Sequence, residues 1–303
     1  MKSKVFVIIV TYKGQSWYEK LFSSLRLSTI PVDVIVVNNG GDDGTKEYLQ
    51  ECFPEVIILS PLENLGFGKG NNLGIRYAIE HDCDYVFLLN QDAWIEPDTI
   101  EKLVSIHKNH SEYGLISPMH LNVDGTGLVM KCFCQQPNNE KLITDLYLNQ
   151  LSDIYETTYI HAAAWLLPRN TLETVGGFDP IYKHYEEDDD YLNRVRFHHL
   201  KIGVCPSARI VHDHRCSNNP FNRKSRYHHE QKLLVKLTNL NSSLTLKDYL
   251  FYYFRKMIKS LLTWNLTSYR SFRDDFLFII KQQKGICKSR ESNSRIGPTW
   301  LTT

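Results

Sequence analysis

The chain has 303 residues, of which 42% are hydrophobic and 23% are charged, a composition that excludes general disorder. Its seven cysteines are scattered without a Cys-x-x-Cys pair, which argues against a disulfide framework and for a reducing compartment. No apolar run approaches the roughly 18 residues of a membrane span, and the run from Val5 to Val10 is too short for a secretory signal, so we expect a cytoplasmic protein.

The N-terminal part alternates short β-branched runs with helical patterns. This order predicts a mostly parallel sheet with helices on both faces. The predicted strands are Val5–Val10, Val34–Val37, Val56–Leu59 and Tyr85–Leu89, and the predicted helices are Trp17–Leu27, Thr45–Cys52, Gly70–Glu80 and a helix from Pro97 to about His110.

The pattern weakens after Ser117, and residues 120–158 look irregular with hairpin-like pieces. Regular elements then return, and the chain becomes helical beyond Asn219, with its last residues, about eighteen of them, loose. The predicted elements are strands Tyr159–Leu167, Ile202–Val204 and Arg209–Val211, and helices Arg169–Val175, Glu187–His198, 224–240, 246–263 and 268–283.

The charge is unevenly distributed, although its net value is only +1. Residues 218–303 hold 16 Lys/Arg and 5 Asp/Glu, a formal charge of +11, and residues 1–217 hold 19 and 29, a charge of −10. An acidic body with a basic tail predicts two functional parts. The tail either meets an anionic surface such as membrane phospholipid or forms a solvated helical face, and both interpretations stay open.

Ligands of open α/β sheets bind beyond the carboxyl ends of the strands, so the residues after each predicted strand are the candidate binding residues. One polar loop alone is an ordinary turn, but four along one edge predict a binding site. These residues are Thr11, Tyr12 and Lys13; Asn38, Asn39 and Gly40; the segment Asn64 to Asn72, with Gly66, Phe67, Gly68 and Lys69; and Asn90, Gln91 and Asp92.

The segment from Gly66 to Gly70 has three glycines and opens a predicted helix, so close backbone approach and the helix N-terminus would suit a diphosphate. It contains neither the GxGxxG fingerprint nor a P-loop. Asp92 ends a buried strand and could share Mg²⁺ or Mn²⁺ with diphosphate oxygens, or it is a turn residue.

Five adjacent acids, Glu186 to Asp190, precede a predicted helix. They form either an acidic helix start on the surface or a cluster in which like charges raise the pKa of a general base. His212 follows the last short strand and is either a metal ligand or a polar loop residue.

Six motifs in order, from about Val5 to Ser217, resemble the family-2 glycosyltransferases of the GT-A fold. They are VIIVTYKG, VIVVNNGGDDGT, ENLGFGKGNNLG, LLNQDA, GGFDPIYKHYEEDDDYLNR and PSARIVHDH. The loops around NLGFGKGNNLG and LLNQDA are most similar to those of bacterial rhamnosyltransferases of O-antigen or capsule synthesis.

The resemblance implies a GT-A catalytic domain at 1–218, with a donor half at 1–118 and an acceptor and base half at 119–218. Residues 219–303 would be a basic helical appendage. Thr11, Tyr12 and Asn38 would contact the base and ribose of a nucleotide-sugar, and Asn64 to Asn72 would lie beside the nucleotide and diphosphate.

The resemblance also implies the chemistry. Asp92 would bind Mg²⁺ or Mn²⁺, with His212 helping to hold the metal or the diphosphate. In the pair Glu187-Asp188, Asp188 would be the base that deprotonates the acceptor hydroxyl, giving inversion. Trp165 would stack on an acceptor sugar or pack in the core.

Two positions depart from the family pattern. Asn38 stands where the family has Asp, and the D-x-D motif is reduced to Asn90-Gln91-Asp92. We therefore expect recognition of the base to differ from the family pattern, and one carboxylate ligand to be left for the metal, which would bind weakly.

The expected partners are a nucleotide-sugar donor and a saccharide or lipid-linked acceptor, with no nucleic acid. The basic tail would touch the inner face of the membrane, pack on the catalytic domain or form a homodimer. Two rival functions remain, a nucleotidyltransferase and a non-catalytic scaffold. The single glycine of the first loop argues against the former, and the intact Glu187-Asp188 pair argues against the latter.

Overall fold

The computed structural model describes residues 3–129, 140–213 and 226–301. Within them, nine strands form one sheet in the order β3-β2-β1-β4-β8-β6-β9-β5, and β7 pairs with β9. The strands are β1 Val5–Thr11, β2 Asp33–Asn38, β3 Ile57–Leu59, β4 Tyr85–Leu89, β5 Ala93–Ile95, β6 Tyr113–Leu121, β7 Tyr155–Glu156, β8 Ala164–Pro168 and β9 Lys201–His212.

The predicted α/β class is confirmed, and the sheet is parallel in its first half. Strands β3, β2, β1 and β4 are parallel neighbours. Beyond β4 the sheet is mixed, because β8 is antiparallel to both β4 and β6, and β5 is antiparallel to β9, whereas β6 and β9 are parallel.

Helices cover both faces of the sheet, which explains why the central strands are continuous apolar runs. These helices are α1 Gln15–Arg26, α2 Thr45–Cys52, α3 Gly66–Glu80, α4 Thr99–Asn109, α5 Glu140–Leu148, α6 Arg169–Thr174 and α7 Glu187–Phe197. In β1, Val7 and Ile9 face the core beneath α1 and α4, whereas Phe6 and Ile8 face the core beneath α3 and α7.

The second half differs from prediction in three elements. The segment 120–158 contains helix α5, and its residues 130–139 lie outside the described part. The strand predicted from Tyr159 begins only at Ala164. The two strands predicted at 202–204 and 209–211 are one strand, β9, whose register against β6 jumps after Cys205. The bulge includes Pro206, and a proline inside a strand suggested two separate strands.

The C-terminal region is helical, as predicted, with α8 Arg226–Thr238, α9 Leu246–Leu262 and α10 Leu266–Asn293. The predicted boundary at residue 218 lies outside the described residues. Helices α8 and α10 pack around Tyr182, which is buried with Leu234 and Ile279. No described helix has both the length and the apolar character needed to cross a bilayer.

The prediction of a loose C-terminus is wrong for the described residues. Helix α10 runs to Asn293, whose amide donates to Asp179 Oδ2 over 2.8 Å. The N–H of Gly177 donates to the carbonyl of Thr299 over 2.8 Å, and Leu301 is buried. The polar composition of this segment hid the packing, because much of its burial is through hydrogen-bonded side chains.

Gly176 tests this packing because its φ of +81° disfavours any side chain and an added Cβ would overlap the backbone of Thr299. We expect Gly176→Ala to lower the free energy of unfolding by about 2 kcal/mol or more in urea titrations. Gly125→Ala is the matched control, since Gly125 has a φ of +67° and open space around it. Equal losses in the two variants would contradict the account of the C-terminus.

Candidate functional site

The loops after β1 and β2 are neighbours, because Thr11 and Asn38 are partners in the parallel register. Both residues are buried, and Thr11 Oγ1 donates to the carbonyl of Val37. Beside them, Tyr12 and Lys13 are exposed, with the ammonium of Lys13 over the ring of Tyr12. The structure therefore places the predicted base and ribose contacts at one edge of the sheet.

The side chain of Gln91 ties the loop after β4 to the loop after β1. Its Oε1 accepts from the N–H of Tyr12 over 2.8 Å, and its Nε2 donates to the carbonyl of Tyr12 over 3.1 Å. Because both ends of the amide bond to the backbone of Tyr12, Gln91 shapes the loop, and its contact with the donor stays a prediction. Asn90 anchors the same loop through its N–H, which donates to Ala163.

Asn38 closes the turn after β2 with both ends of its amide. Its Oδ1 accepts from the N–H of Gly40, and its Nδ2 donates to the carbonyl of Gly41, each over 3.0 Å. An ionised aspartate could accept the first hydrogen bond but could not donate the second. This pair gives a structural reason for the asparagine that replaces the family's aspartate.

Asn39 and Asn64 fix the glycine-rich segment. Asn39 donates to the carbonyl of Gly66 over 3.0 Å and accepts from the N–H of Leu65 over 3.1 Å. Asn64 Oδ1 accepts from the N–H of Gly66 over 2.8 Å. Helix α3 begins at Gly66, four residues before its predicted start at Gly70.

The glycines of α3 face the protein, not open space. A Cβ at Gly68 would lie 3.1 Å from Phe178 Cβ and 3.9 Å from Glu187 Cβ, and one at Gly66 would lie 2.8 Å from the carbonyl of Lys183. Asn72 exchanges two hydrogen bonds with the backbone of Phe178. The glycines and Asn72 therefore hold α3 against the segment before α7, and their contacts with the donor stay a prediction.

Phe67 and Lys69, the other two predicted donor contacts of this segment, differ in exposure. The ring of Phe67 packs against that of Phe178, with centroids 5.7 Å apart. Lys69 is exposed in the first turn of α3, so its ammonium is available to an anion.

Asp92 and His212 meet through the pairing of β5 with the end of β9. Ala93 and His212 are antiparallel partners, and His212 Nε2 lies 3.3 Å from Asp92 Oδ1. His212 is buried, whereas the Asp92 side chain remains 26% exposed. The N–H of Asp213 donates to the carbonyl of Asp92 over 2.9 Å. The structure therefore brings together the two residues predicted to hold the metal.

These two side chains fit part of a divalent metal site. Ligands at about 2.1 Å from an octahedral ion are roughly 3 Å apart when adjacent, which the 3.3 Å separation approaches. Residues 3–129, 140–213 and 226–301 contain no group of three or more His, Cys, Asp or Glu arranged to hold a metal. Diphosphate oxygens and water would have to complete the coordination.

The acidic cluster begins α7, with Tyr185 and Glu186 in the left-handed region at φ 69° and 68°. Glu187 is buried and its Oε2 has no hydrogen-bond partner among the described residues. Burial, and then the charge of Asp188, raise the pKa of Glu187 to about 8. Burial also raises the pKa of Glu186 and Asp189. Asp188 stays partly exposed.

Asp190 is a structural member of the cluster that the sequence did not single out. It pairs with Arg194 over 2.9 Å, and both side chains are 2% exposed. Arg194 also donates to the carbonyls of Val175 and Gly177. The Asp and Arg four residues apart on a helix were the available signal. This ion pair anchors α7 to the Gly176-Gly177 turn.

Trp165 belongs to the core, which corrects its prediction as an acceptor contact. It is fully buried, and its ring stacks on Phe178 at 6.3 Å and packs against Tyr191 at 5.8 Å. With no exposed surface it cannot stack on a sugar.

The family model for glycosyl transferase family 2 matches residues 6–176, more than half of the chain. The chain belongs to glycosyl transferase family 2. Family membership makes it a glycosyltransferase and decides against the nucleotidyltransferase and scaffold interpretations. Family-2 enzymes generally use a divalent metal ion, in keeping with the Asp92–His212 pair.

Similar proteins act in glycan synthesis. The chain is 24% identical to the low-salt glycan biosynthesis hexosyltransferase Agl10 of Haloferax volcanii, over 73% of this chain and 71% of that one. It is 26% identical to an N-acetylglucosaminyl-diphospho-decaprenol L-rhamnosyltransferase of Mycobacterium tuberculosis, over 73% and 80%. S. aureus TarS 1–349, solved in complex with UDP, shares the fold with a TM-score of 0.55 at 14% identity, over 90% and 91%.

The raised pKa of Glu187 predicts how stability depends on pH. Its ordinary value of 4.5 applies to the unfolded chain and about 8 to the folded one, so the folded state holds the extra proton between them. The contribution of Glu187 to the free energy of unfolding is fully present below pH 4.5 and is lost as pH rises through about 8. Between about pH 5 and about pH 8, the free energy of unfolding should fall in wild type. In Glu187→Gln we expect this fall to be smaller by at least about 1 kcal/mol in urea titrations.

The matched control is Glu63→Gln, an exposed position at which the same substitution should leave the pH dependence unchanged. An unchanged pH dependence in Glu187→Gln would show that Glu187 is ionised at neutral pH.

Proposed function

We propose that this glycosyltransferase moves a sugar from a nucleoside-diphosphate donor to a hydroxyl of a saccharide or lipid-linked saccharide, with inversion at the anomeric carbon. The reaction would serve surface polysaccharide synthesis at the cytoplasmic side of the membrane. The observation that carries this proposal is the Asp92–His212 pair at 3.3 Å, next to Gln91, whose amide bonds to the loop after β1.

The proposed donor site places the nucleoside over the loops that follow β1 and β2, near Tyr12 and Asn38, with the diphosphate toward Asp92 and His212. The framework contacts of Gln91 and Asn38 hold these loops in place without a ligand. A divalent ion held by Asp92 and His212 would supply positive charge that stabilises the leaving diphosphate.

In the proposed acceptor step, Asp188 accepts the proton of the acceptor hydroxyl. The hydroxyl oxygen bonds to the anomeric carbon from the face opposite the diphosphate, and the bond from that carbon to the diphosphate oxygen breaks. Support comes from the partly exposed position of Asp188 in the first turn of α7, beside the start of α3. At neutral pH Glu187 holds a proton and adds little charge next to the base.

The donor sugar is proposed from the relatives. The Mycobacterium tuberculosis relative is named as an L-rhamnosyltransferase, and the same sugar as a dTDP derivative is the first donor to test here. UDP-glucose, UDP-galactose, UDP-GlcNAc and GDP-mannose complete the panel, since a likeness of this degree does not choose among hexoses.

Nucleotide release from this panel, with Mg²⁺ or Mn²⁺ and with EDTA, tests the proposal. We expect release from one donor, loss of release in EDTA, and a fall of about 10²-fold or more in Asp188→Asn, because that variant lacks the general base. Asp189→Asn is the matched control, since it replaces the neighbouring carboxyl group in the same turn of the helix and should retain most of the activity. Equal losses in the two variants would contradict the assignment of the base, and activity in EDTA would contradict the metal.

A further inference from the structure

Helices α9 and α10 form a hairpin joined by a short turn at Thr263–Asn265. The turn is ordered by backbone hydrogen bonds, since the N–H of Trp264 donates to Leu261 over 3.1 Å and that of Asn265 to Ser260 over 2.9 Å. Asn265 also caps α10 by accepting from the N–H of Ser268. We call residues 261–266 the hairpin tip.

The hairpin tip presents large apolar side chains to solvent. Leu262 is 77% exposed, Trp264 is 89% exposed and Leu266 is 57% exposed. Helix α9 packs Tyr249, Leu250 and Tyr253 against the cluster of α8 and α10 but leaves other apolar residues exposed. The other large exposed apolar residues of α9 are Phe251, Tyr252, Phe254, Ile258 and Leu261. So many large apolar side chains exposed on one hairpin mark an interaction site.

The same surface carries only positive charge. From Tyr249 to Arg273 the sequence has five cations and no Asp or Glu. Arg273 pairs with Asp274 just beyond this stretch, over 2.8 Å. Arg255 lies 5.6 Å from the ring of Phe251, and Lys256 lies 5.4 Å from the ring of Tyr252. These cations are Arg255, Lys256, Lys259, Arg270 and Arg273.

The opposite end of the hairpin is attached to the catalytic domain. The hydroxyl of Tyr249 donates to the carbonyl of Lys236 in α8 over 3.3 Å, and Tyr253 packs against the apolar cluster of α8 and α10. Asp275 of α10 pairs with Arg226 of α8 over 2.6 Å. A hairpin tip bound to a membrane would therefore hold the catalytic domain at the membrane surface through these contacts.

The charge pattern discriminates between two occupants of this surface. A two-fold homodimer would place the same positive patch against itself, because symmetric interfaces are self-complementary. Anionic lipid headgroups complement the cations, and a tryptophan with leucines suits the boundary between headgroups and acyl chains. Leu262 and Trp264 with the cations of α9 have the composition of an interfacial segment.

We propose that the hairpin tip inserts into the interface of a membrane rich in anionic lipid and holds the catalytic domain at its surface. The tip lies outside the donor and base sites, so binding requires neither donor nor acceptor. The membrane contact and the proposed reaction can therefore fail independently.

Flotation of the intact chain with vesicles tests this inference. We expect binding to vesicles of phosphatidylcholine with about a third phosphatidylglycerol, weaker binding to phosphatidylcholine alone, and release at high salt. The double variant Leu262→Ser, Trp264→Ser should reduce the bound fraction by about tenfold or more. Leu27→Ser with Tyr147→Ser is the matched control, because these residues are also exposed, at 67% and 86%, and lie outside the hairpin.

The charge contribution has its own pair of variants. Lys256→Gln with Lys259→Gln should weaken binding to the anionic vesicles, whereas Lys46→Gln with Lys108→Gln, at exposed positions elsewhere, should not. The inference is overturned if wild type does not float, or if the tip and control variants float equally. Sedimentation showing a dimer that the tip variant dissociates would overturn it in favour of a second copy of the chain.

Discussion

The pairing of β5 with the end of β9 is the constraint on which the donor site depends. It opposes Ala93 to His212 and so brings a histidine from the second half of the chain to the carboxylate that follows β4. One carboxylate alone is a weak metal site, and the buried imidazole beside it would supply a second ligand. The reduced Asn90-Gln91-Asp92 motif is therefore compatible with metal-assisted transfer. In the same motif, the side chain of Gln91 holds the loop after β1 through its hydrogen bonds to Tyr12.

Amide side chains build much of the framework around that site. Asn38, Asn39, Asn72 and Gln91 each use both ends of the amide to join backbone segments. Because each can donate and accept at once, an amide can satisfy two backbone groups that a carboxylate cannot. The Asp190–Arg194 ion pair adds the attachment of α7. Tyr12, Lys13 and Lys69 are exposed, and Asp92 and Asp188 are half-buried, so these residues remain the predicted ligand contacts.

The sequence predicted strands β1 to β4 well for a physical reason. Strands such as β1, buried on both faces, are continuous apolar runs with clear ends, and the polar residues after them mark the edge of the sheet. Asp92 could be named because a carboxylate at the end of a buried strand is costly unless it is used, whereas Asp188 was named from the family resemblance. Their neighbours could not be sorted, since whether an asparagine binds a ligand or a backbone depends on contacts from distant segments.

The failures have the same origin in long-range packing. The glycines of α3 suggested an open loop, but they accommodate Phe178 and Glu187, which lie over a hundred residues away in the chain. Trp165 could serve a ligand or the core, and only burial decides between them. The polar C-terminal residues Ser289 and Asn293 looked loose, yet both donate to the buried carboxylate of Asp179.

The central claim is that Asp92 and His212 join a metal ion to the donor diphosphate. Calorimetric titration of UDP and dTDP, with Mn²⁺ and with EDTA, tests it most directly. Even indirect partners of a metal site are worth about tenfold in affinity, so Asp92→Asn should weaken metal-dependent binding by at least that factor. Asp188→Asn should bind nucleotide as wild type does. Equal metal-dependent affinity in wild type and Asp92→Asn would contradict the account.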